Sequence, residues 1–229
     1  MFDSELETAP LRRPQKILVG VVTAVLLVTT GTMVSFSLRR PQVETFAPTP
    51  IGTREAGERL VGPVTYTVDA ADEDEWRYFD FSRGSVVQAP GPLDWDLAFR
   101  RYHLIVNGGV AFPGGGGVRD LGVVAFDSVK ELPAGGYDGN DAGADTANAV
   151  TDHWYRYSFT SHLLRPSGRV FAVRTADGRH AKLTIVSYYC LGAEPGCVTF
   201  RYVYQGDGSR RVVPAGAAEP SPPSTGESR

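Results

Sequence analysis

The chain has 229 residues and a mass of 24.7 kDa, enough for one sizeable domain with appendages. Its 26 glycines and 16 prolines favour a turn-rich β chain over a helical bundle. A formal net charge of −3 provides no electrostatic footprint for nucleic acid and excludes that class of partner.

Residues 1–16 form a head too short to fold. From Ile17 to Leu38 the sequence reads ILVGVVTAVLLVTTGTMVSFSL, 22 residues without a charge, which as a helix spans roughly 30 Å of hydrocarbon. A cleaved signal peptide would have an apolar core of about 7–15 residues ending in small side chains. This run is longer and closes on MVSFSLRR, so 17–38 reads as a retained transmembrane helix. Arg12, Arg13 and Lys16 stand before it, against Arg39, Arg40 and then Arg54 after it. The balance tilts slightly to a cytoplasmic N-terminus, which makes the chain a single-pass protein of a bacterial inner membrane with a periplasmic C-terminal domain.

Residues 39–61 are rich in proline and polar groups and are expected to act as a tether. Ordered signals fill 62–213: VTYTV, WRYFDF, SVVQ, WDLAF, YHLIV, LGVVAF, WYRYSF, RVFAVRT, AKLTIVSYY and VTFRYVY are short, aromatic or β-branched, and separated by turn residues. The expectation is an all-β sandwich or open barrel preceded by one transmembrane helix. Gly108–Gly122 carries four consecutive glycines, yet no G-K-[ST] and no helix opening follow, so it is a mobile or close-packed loop and not a phosphate cradle. The acidic loop 131–153, with Asp138, Asp141 and Asp145, lacks the D-x-D-x-D-G spacing of calcium ligands. Residues 214–229 are low-complexity and are expected to be disordered in isolation.

Cys190 and Cys197 stand at either end of a Gly- and Pro-containing connection between two strand-like runs. A disulfide there braces a hairpin and implies an oxidising compartment. Zinc would need about four ligands, and no second Cys/His pair has the spacing.

No catalytic constellation is visible: His103, His153, His162 and His180 form no H-x-x-x-H, and no serine sits in a G-x-S-x-G elbow. Asp94 and Asp96 flank Trp95 and read as solvated or salt-bridged to arginine. In WDLAFRRYHLIVNGG, Trp95, Leu97 and Phe99 alternate out of phase with Tyr102, Leu104 and Val106. The Arg100–Arg101 pair should therefore mark a bulge or sharp bend. Beyond it His103 is expected to be half exposed, and Arg100, Arg101 and His103 are candidate contacts for a partner protein. His180, in a tight turn, reads as a surface residue.

The stretches EWRYFDFSRGSVV, LDWDLAFRRYHLIVNGG, VFAVRTADGRHAKLTIVSYY and CVTFRYVY resemble the HmuY-like family of bacterial haem-binding proteins in order and spacing over residues 62–205. The resemblance implies an all-β extracytoplasmic domain, in the family usually lipid-anchored and paired with haem uptake. This chain departs from it in using a transmembrane helix and lacking a lipobox cysteine. It also implies two histidine ligands, one in a long mid-domain insertion and one shortly after the tryptophan that precedes R-T-A-D-G. Here the insertion is short, and the second position, counted from Trp154, falls at Phe159, which cannot ligate. His153 and His162 are the nearby substitutes for a haem iron.

Two readings follow. The main one is a non-catalytic, membrane-anchored accessory subunit, without cofactor or metal, docking on a larger membrane complex for transport or for respiratory or photosynthetic electron transfer. The alternative is a haem-binding protein of the HmuY-like type.

Overall fold

The computed structural model describes residues 12–37, 43–52, 57–141 and 148–214, in two units divided between Gln42 and Val43. The expected head before Arg12, most of the expected tail, the centre of the acidic loop with Asp145, and Arg39, Arg40 and Arg54 lie outside the described residues.

The first unit contains α1 (Arg13–Ser37), with Pro14 in its first turn, where a missing N–H costs nothing. Ile17, Leu18, Val22, Val25, Leu27 and Val34 are all exposed, so the helix has an apolar surface on every side, the pattern of a helix solvated by lipid. Two of its hydroxyls are satisfied internally: Thr29 Oγ1 donates to the Val25 carbonyl at 2.9 Å and Thr32 Oγ1 to that of Thr29 at 2.8 Å. Arg13–Ser35 is long and apolar enough to cross a membrane.

The second unit is built of strands. In chain order they are β1 (Thr45–Phe46), β2 (Leu60–Asp69), β3 (Arg77–Asp80), β4 (Ser85–Val87), β5 (Leu97–Arg100) and β6 (His103–Val106). They continue with β7 (Gly117–Asp120), β8 (Tyr155–Tyr157), β9 (Leu164–Pro166), β10 (Phe171–Arg174), β11 (His180–Cys190) and β12 (Pro195–Gln205). One sheet runs β2–β12–β11–β10–β7, with β1 added in parallel to the end of β11. A second runs β4–β3–β5–β6, and β8–β9 is a separate two-stranded ribbon. The expected all-β sandwich is thus present. The stretch expected to be a tether is partly built in: Thr45 and Phe46 pair with Tyr189 and Cys190, and β2 begins at Leu60.

Aromatic rings join the two sheets. Phe200 of β12 packs 5.1 Å from Phe79 of β3 and 5.4 Å from Phe99 of β5, and Tyr66 of β2 lies 5.0 Å from Phe79. Alternation along β12 sends Val198, Phe200, Tyr202 and Tyr204 to this core, while Val203 faces a second cluster with Phe126, Leu132 and Val212. Both faces of the central strands are therefore covered. Lys182 crosses the outer cluster to reach the carbonyls of Phe126 and Val129 at 2.9 and 2.6 Å. Burial lowers its pKa from the ordinary lysine range.

Three local expectations change. The phase break at Arg100–Arg101 is a tight hairpin: Arg100 faces His103 across β5 and β6, and Arg101 takes φ 53° in the two-residue turn. Leu97, Phe99, Leu104 and Val106 point into the main core, whereas Trp95, which precedes the strand, joins Ala98 and Ile105 on the other face. LGVVAF is not a strand, and Val123 and Val124 are exposed. Its place beside β10 is taken by β7, which emerges from the glycine run. Those glycines are close-packed backbone. A Cβ on Gly108 would sit 1.9 Å from the Gly116 carbonyl oxygen, and one on Gly116 would sit 2.4 Å from that of Asn107.

Asp96 is neither solvated nor paired with arginine. It is buried, and its two carboxylate oxygens accept the N–H groups of Phe81 at 2.9 Å and Ala176 at 2.8 Å. Burial, with help from the nearby Asp80 and Asp177, pushes its pKa up to about 7 against the two stabilising N–H groups. Asp94 stays exposed and closes a turn by accepting the N–H of Gly91.

Cys190 and Cys197 are bonded, with Cα atoms 4.8 Å apart and a sequence separation of 7. Closing so short a loop stabilises the fold by about 2.5 kcal/mol in the chain-entropy account. The Cys190→Ser, Cys197→Ser double variant should lose about 2 kcal/mol in urea denaturation, and an unchanged midpoint would show that β-pairing alone fixes this end. The folded state also holds the Asp96 proton more tightly than the unfolded chain. The contribution of Asp96 to stability is therefore full below about pH 4 and is lost as pH rises through about 7. Urea midpoints at pH 4.5 and 7.5 should show that fall in the native chain. Asp96→Asn should flatten it while lowering stability overall, because one N–H loses its acceptor; an equal slope in both would assign it to another group.

Candidate functional site

Trp154 fixes the root of the ribbon. It is buried, its indole Nε1 donates to the Tyr102 carbonyl at 2.8 Å, and its own carbonyl accepts the Ser167 N–H at 2.7 Å. Just before it, in the 3-10 turn Thr151–Trp154, Thr151 Oγ1 donates to the Leu104 carbonyl at 2.6 Å. On the far strand Leu164 N–H donates to the Tyr189 hydroxyl at 2.9 Å. The β8–β9 ribbon therefore stands on the β5–β6 turn on one side and on β11 on the other.

Beyond this root the ribbon carries side chains that the fold does not bury. Tyr157 is 44% exposed and Phe159 84% exposed, their rings meeting edge to face at 5.1 Å. The tip is closed by Ser158 N–H to the Leu163 carbonyl at 2.9 Å and His162 N–H to the Ser158 carbonyl at 2.7 Å. Closure places His162 at φ 55°, a left-handed backbone that costs a non-glycine residue about 1 kcal/mol. In that position its Nδ1 lies 2.5 Å from the Tyr157 hydroxyl. Alternation puts Arg156 and Arg165 directly across from each other on the opposite face. Neither has an ion-pair partner among the described residues, so the ribbon is locally positive.

Tyr102 and Tyr155 continue the aromatic surface at the root, 5.8 Å apart, with the His103 ring 4.3 Å from that of Tyr102. His103 is half-buried, as expected from its strand face. Burial lowers its pKa against the attraction of Asp152, with Arg100 acting in the same direction as burial. It is therefore mainly neutral at pH 7, and its buried Nδ1 has no hydrogen-bond partner. His180 is less exposed than its turn suggested: it opens β11 with a buried, unpartnered Nδ1, and burial likewise lowers its pKa.

The sequence-flagged residues thus fall into two groups. His103, His153 and His162 belong to elements that meet at one end of the domain, with His153 exposed on the turn before Trp154. Within the described residues no contact joins His153 to His162; the partner of His162 is Tyr157, which sequence reasoning missed. Arg100 and Arg101 are engaged internally. The Arg100 guanidinium lies 4.6 Å from the centre of the Trp76 ring, and Arg101 Nη1 donates to the Ala71 carbonyl at 3.0 Å. A recess of about 900 Å³ between residues 48–51 and strands β3 and β4 contains none of the histidines. The ribbon is an open face.

Its donor set suits a haem. A porphyrin requires a flat apolar surface, its iron a neutral imidazole or an oxygen donor, and its carboxylates a positive neighbourhood. Phe159 and the Tyr157–His162 pair offer the first two, while Arg156 and Arg165 stand on the opposite face of the ribbon. Among the described residues no group of three or more His, Cys, Asp or Glu side chains could hold a bare metal ion.

Residues 72–160 match the model of the HmuY protein family. Three solved structures share the fold at 20% identity. A protein of Bacteroides fragilis designated a candidate lipoprotein has TM-score 0.53 over 68% of this chain and 95% of its own. The apo HmuY analog of Tannerella forsythia has TM-score 0.51 over 65% and 98%. A protein of Bacteroides vulgatus designated a candidate HmuY-like haem-binding protein has TM-score 0.52 over 68% and 98%. No curated protein matches the chain. The resemblance read from the sequence holds: the β-domain resembles HmuY-like structures in fold. The expectation of a chain without cofactor is overturned by the same finding, since that fold includes a relative designated haem-binding.

The left-handed backbone at His162 yields a test of what the tip is built for. His162→Gly should raise stability by about 0.5–1 kcal/mol in urea denaturation, because glycine adopts this conformation without strain. A loss of stability would mean that the Tyr157 contact contributes more than the strain costs.

Proposed function

We propose that this chain is a membrane-anchored, extracytoplasmic haem-binding protein whose HmuY-like domain presents haem on the β8–β9 ribbon. The observation that carries the reading is Phe159, a phenylalanine 84% exposed at the tip of a well-anchored ribbon, beside a phenol and an imidazole that can reach a metal. Burying such a ring is worth about 2 kcal/mol, and an aromatic ligand laid on it gains that energy. The family match extends to residue 160 and so covers β8 and Phe159.

Location enters the same proposal. The apolar α1 anchors the chain, the arginines and lysine at its start keep the N-terminus in the cytoplasm, and the Cys190–Cys197 bond suits the oxidising space outside. The role is binding and handing on, without catalysis. The docking-subunit reading loses support because Arg100 and Arg101 are committed within the domain.

The full chain in detergent, titrated with haemin against micelles alone, should develop a saturable Soret band with one haem per chain. Phe159→Asp should weaken binding at least tenfold, a loss of about 1.4 kcal/mol, with an unchanged far-UV spectrum because the ring packs on little of the fold. Absence of a protein-dependent band, or full affinity in Phe159→Asp, would overturn the assignment.

A further inference from the structure

We propose that the recess between residues 48–51 and strands β3 and β4 binds an extended basic peptide, whose guanidinium or ammonium groups meet an aromatic and acidic lining. The site goes beyond the haem reading and does not rest on it, since no residue of the β8–β9 ribbon lines the recess. β2 and β4 are the outermost strands of their sheets, and both contribute to the lining. One wall is the segment 48–51, tied to β2 by Thr49 N–H donating to the Thr67 carbonyl and Thr67 N–H donating to Thr49 Oγ1, both at 2.9 Å. Gly52 N–H donates to Ser85 Oγ at 2.9 Å and fastens the same segment to β4. Pro48 and Pro50 stiffen this wall, and Pro90 stiffens the chain after β4. The cavity is therefore preformed, and its volume of about 900 Å³ is that of a multi-residue ligand.

The lining selects a cation. Trp76 and Tyr78 offer half-buried rings, and the faces of such rings attract guanidinium and ammonium groups. Trp76 already receives one such group from this chain, the Arg100 guanidinium 4.6 Å from the ring centre. Asp69, Asp74 and Glu75 stand around the rings, against one basic residue, Arg77. Glu75 holds Arg77 at 2.8 Å, so these two charges cancel within the wall. Neither Asp69 nor Asp74 has an ion-pair partner among the described residues. Residues 69–77 hold five carboxylates and one arginine, a larger negative charge than the −3 of the whole chain. The excess is concentrated at this corner, where it is complementary to a basic ligand.

The strand edge makes that ligand a peptide. β4 pairs with β3 alone, and the lining continues from it through Gln88, Ala89 and Pro90. An extended backbone can lie beside such an edge while alternate side chains enter the recess. The Val86 N–H is already taken by the Tyr66 hydroxyl at 3.1 Å, so pairing moves to Gln88 and beyond. Basic side chains two positions apart fall on one face of an extended segment, and two unpaired carboxylates await them. Charge draws the partner in, and the rings retain it.

The test uses the full chain in non-ionic detergent without haem, and a fluorescein-labelled pentapeptide with arginine at its second and fourth positions, read by anisotropy. Binding should saturate, and it should vanish when citrulline replaces both arginines. Asp69→Asn combined with Asp74→Asn should weaken it about tenfold, and so should Trp76→Leu. The paired asparagine variant keeps the fold, because Asp69→Asn retains an oxygen for the Ala71 N–H that Oδ1 accepts at 3.2 Å. Glu194→Gln, which removes an exposed acid from the β11–β12 connection, should leave binding unchanged. Absence of saturable binding, equal weakening by Glu194→Gln, or displacement by spermidine at the concentrations effective for unlabelled peptide would each overturn the inference. The last two would show diffuse charge attraction in place of a shaped site. Haemin titration of the paired asparagine variant should match that of the native chain, so the haem reading stands or falls separately.

Discussion

Asp96 lies just before β5 with one carboxylate oxygen on the Phe81 N–H beyond β3 and the other on the Ala176 N–H beyond β10. Those two amides belong to strands of different sheets, so one side chain bridges the sandwich at the edge of the aromatic core. Its own backbone ties it to the second sheet, donating to the Phe79 carbonyl and accepting from Asn107 N–H, both at 2.9 Å. A buried carboxylate is expensive to desolvate, and only two well-aimed donors offset that cost. Two stretches that identified the fold from sequence, W-D-L-A-F and R-T-A-D-G, are the two ends of this contact.

Asparagines extend the same device. Asn107 Nδ2 donates to the carbonyls of Pro92 and Trp95, each at 2.9 Å, while Asn140 binds the backbone of Val106 from both sides of its amide. These bonds hold the glycine run against the second sheet, where no side chain larger than hydrogen fits. The loop is thus rigid through backbone contact, and its glycines serve packing. At the other end of the hairpin the β5–β6 turn is held by Arg101, whose N–H donates to the Ala70 carbonyl at 2.8 Å and whose Nη1 donates to the Ala71 carbonyl at 3.0 Å. The carbonyl that receives the Trp154 indole therefore has a fixed position, and so does the root of the ribbon.

Period-two alternation of aromatic and β-branched residues made most strands legible, because burial on at least one face writes that pattern into the chain. It misled where a strand carries too few apolar residues to show a period: β7 is GVRD, and Val118 is its single core residue. Conversely LGVVAF has strand composition, but its one buried ring, Phe126, packs on the outer cluster beneath Lys182. At the site, the histidines were visible as residue types and the tip position at Phe159 was located by counting from Trp154. The Tyr157–His162 contact was not visible, since it depends on a five-residue closure with a left-handed histidine. Asp96 escaped for a related reason: nothing in a one-dimensional pattern tells a carboxylate awaited by two amides from one facing water.

The ribbon's place outside both sheets has an evolutionary consequence. Its strands pair only with each other, and its hold on the domain comes from Trp154, Thr151 and the Tyr189 hydroxyl, none of which is at the tip. Residues 157–162 can therefore be exchanged at little cost to the sandwich. Substitution at the tip is thus free to run ahead of change in the scaffold's identifying motifs.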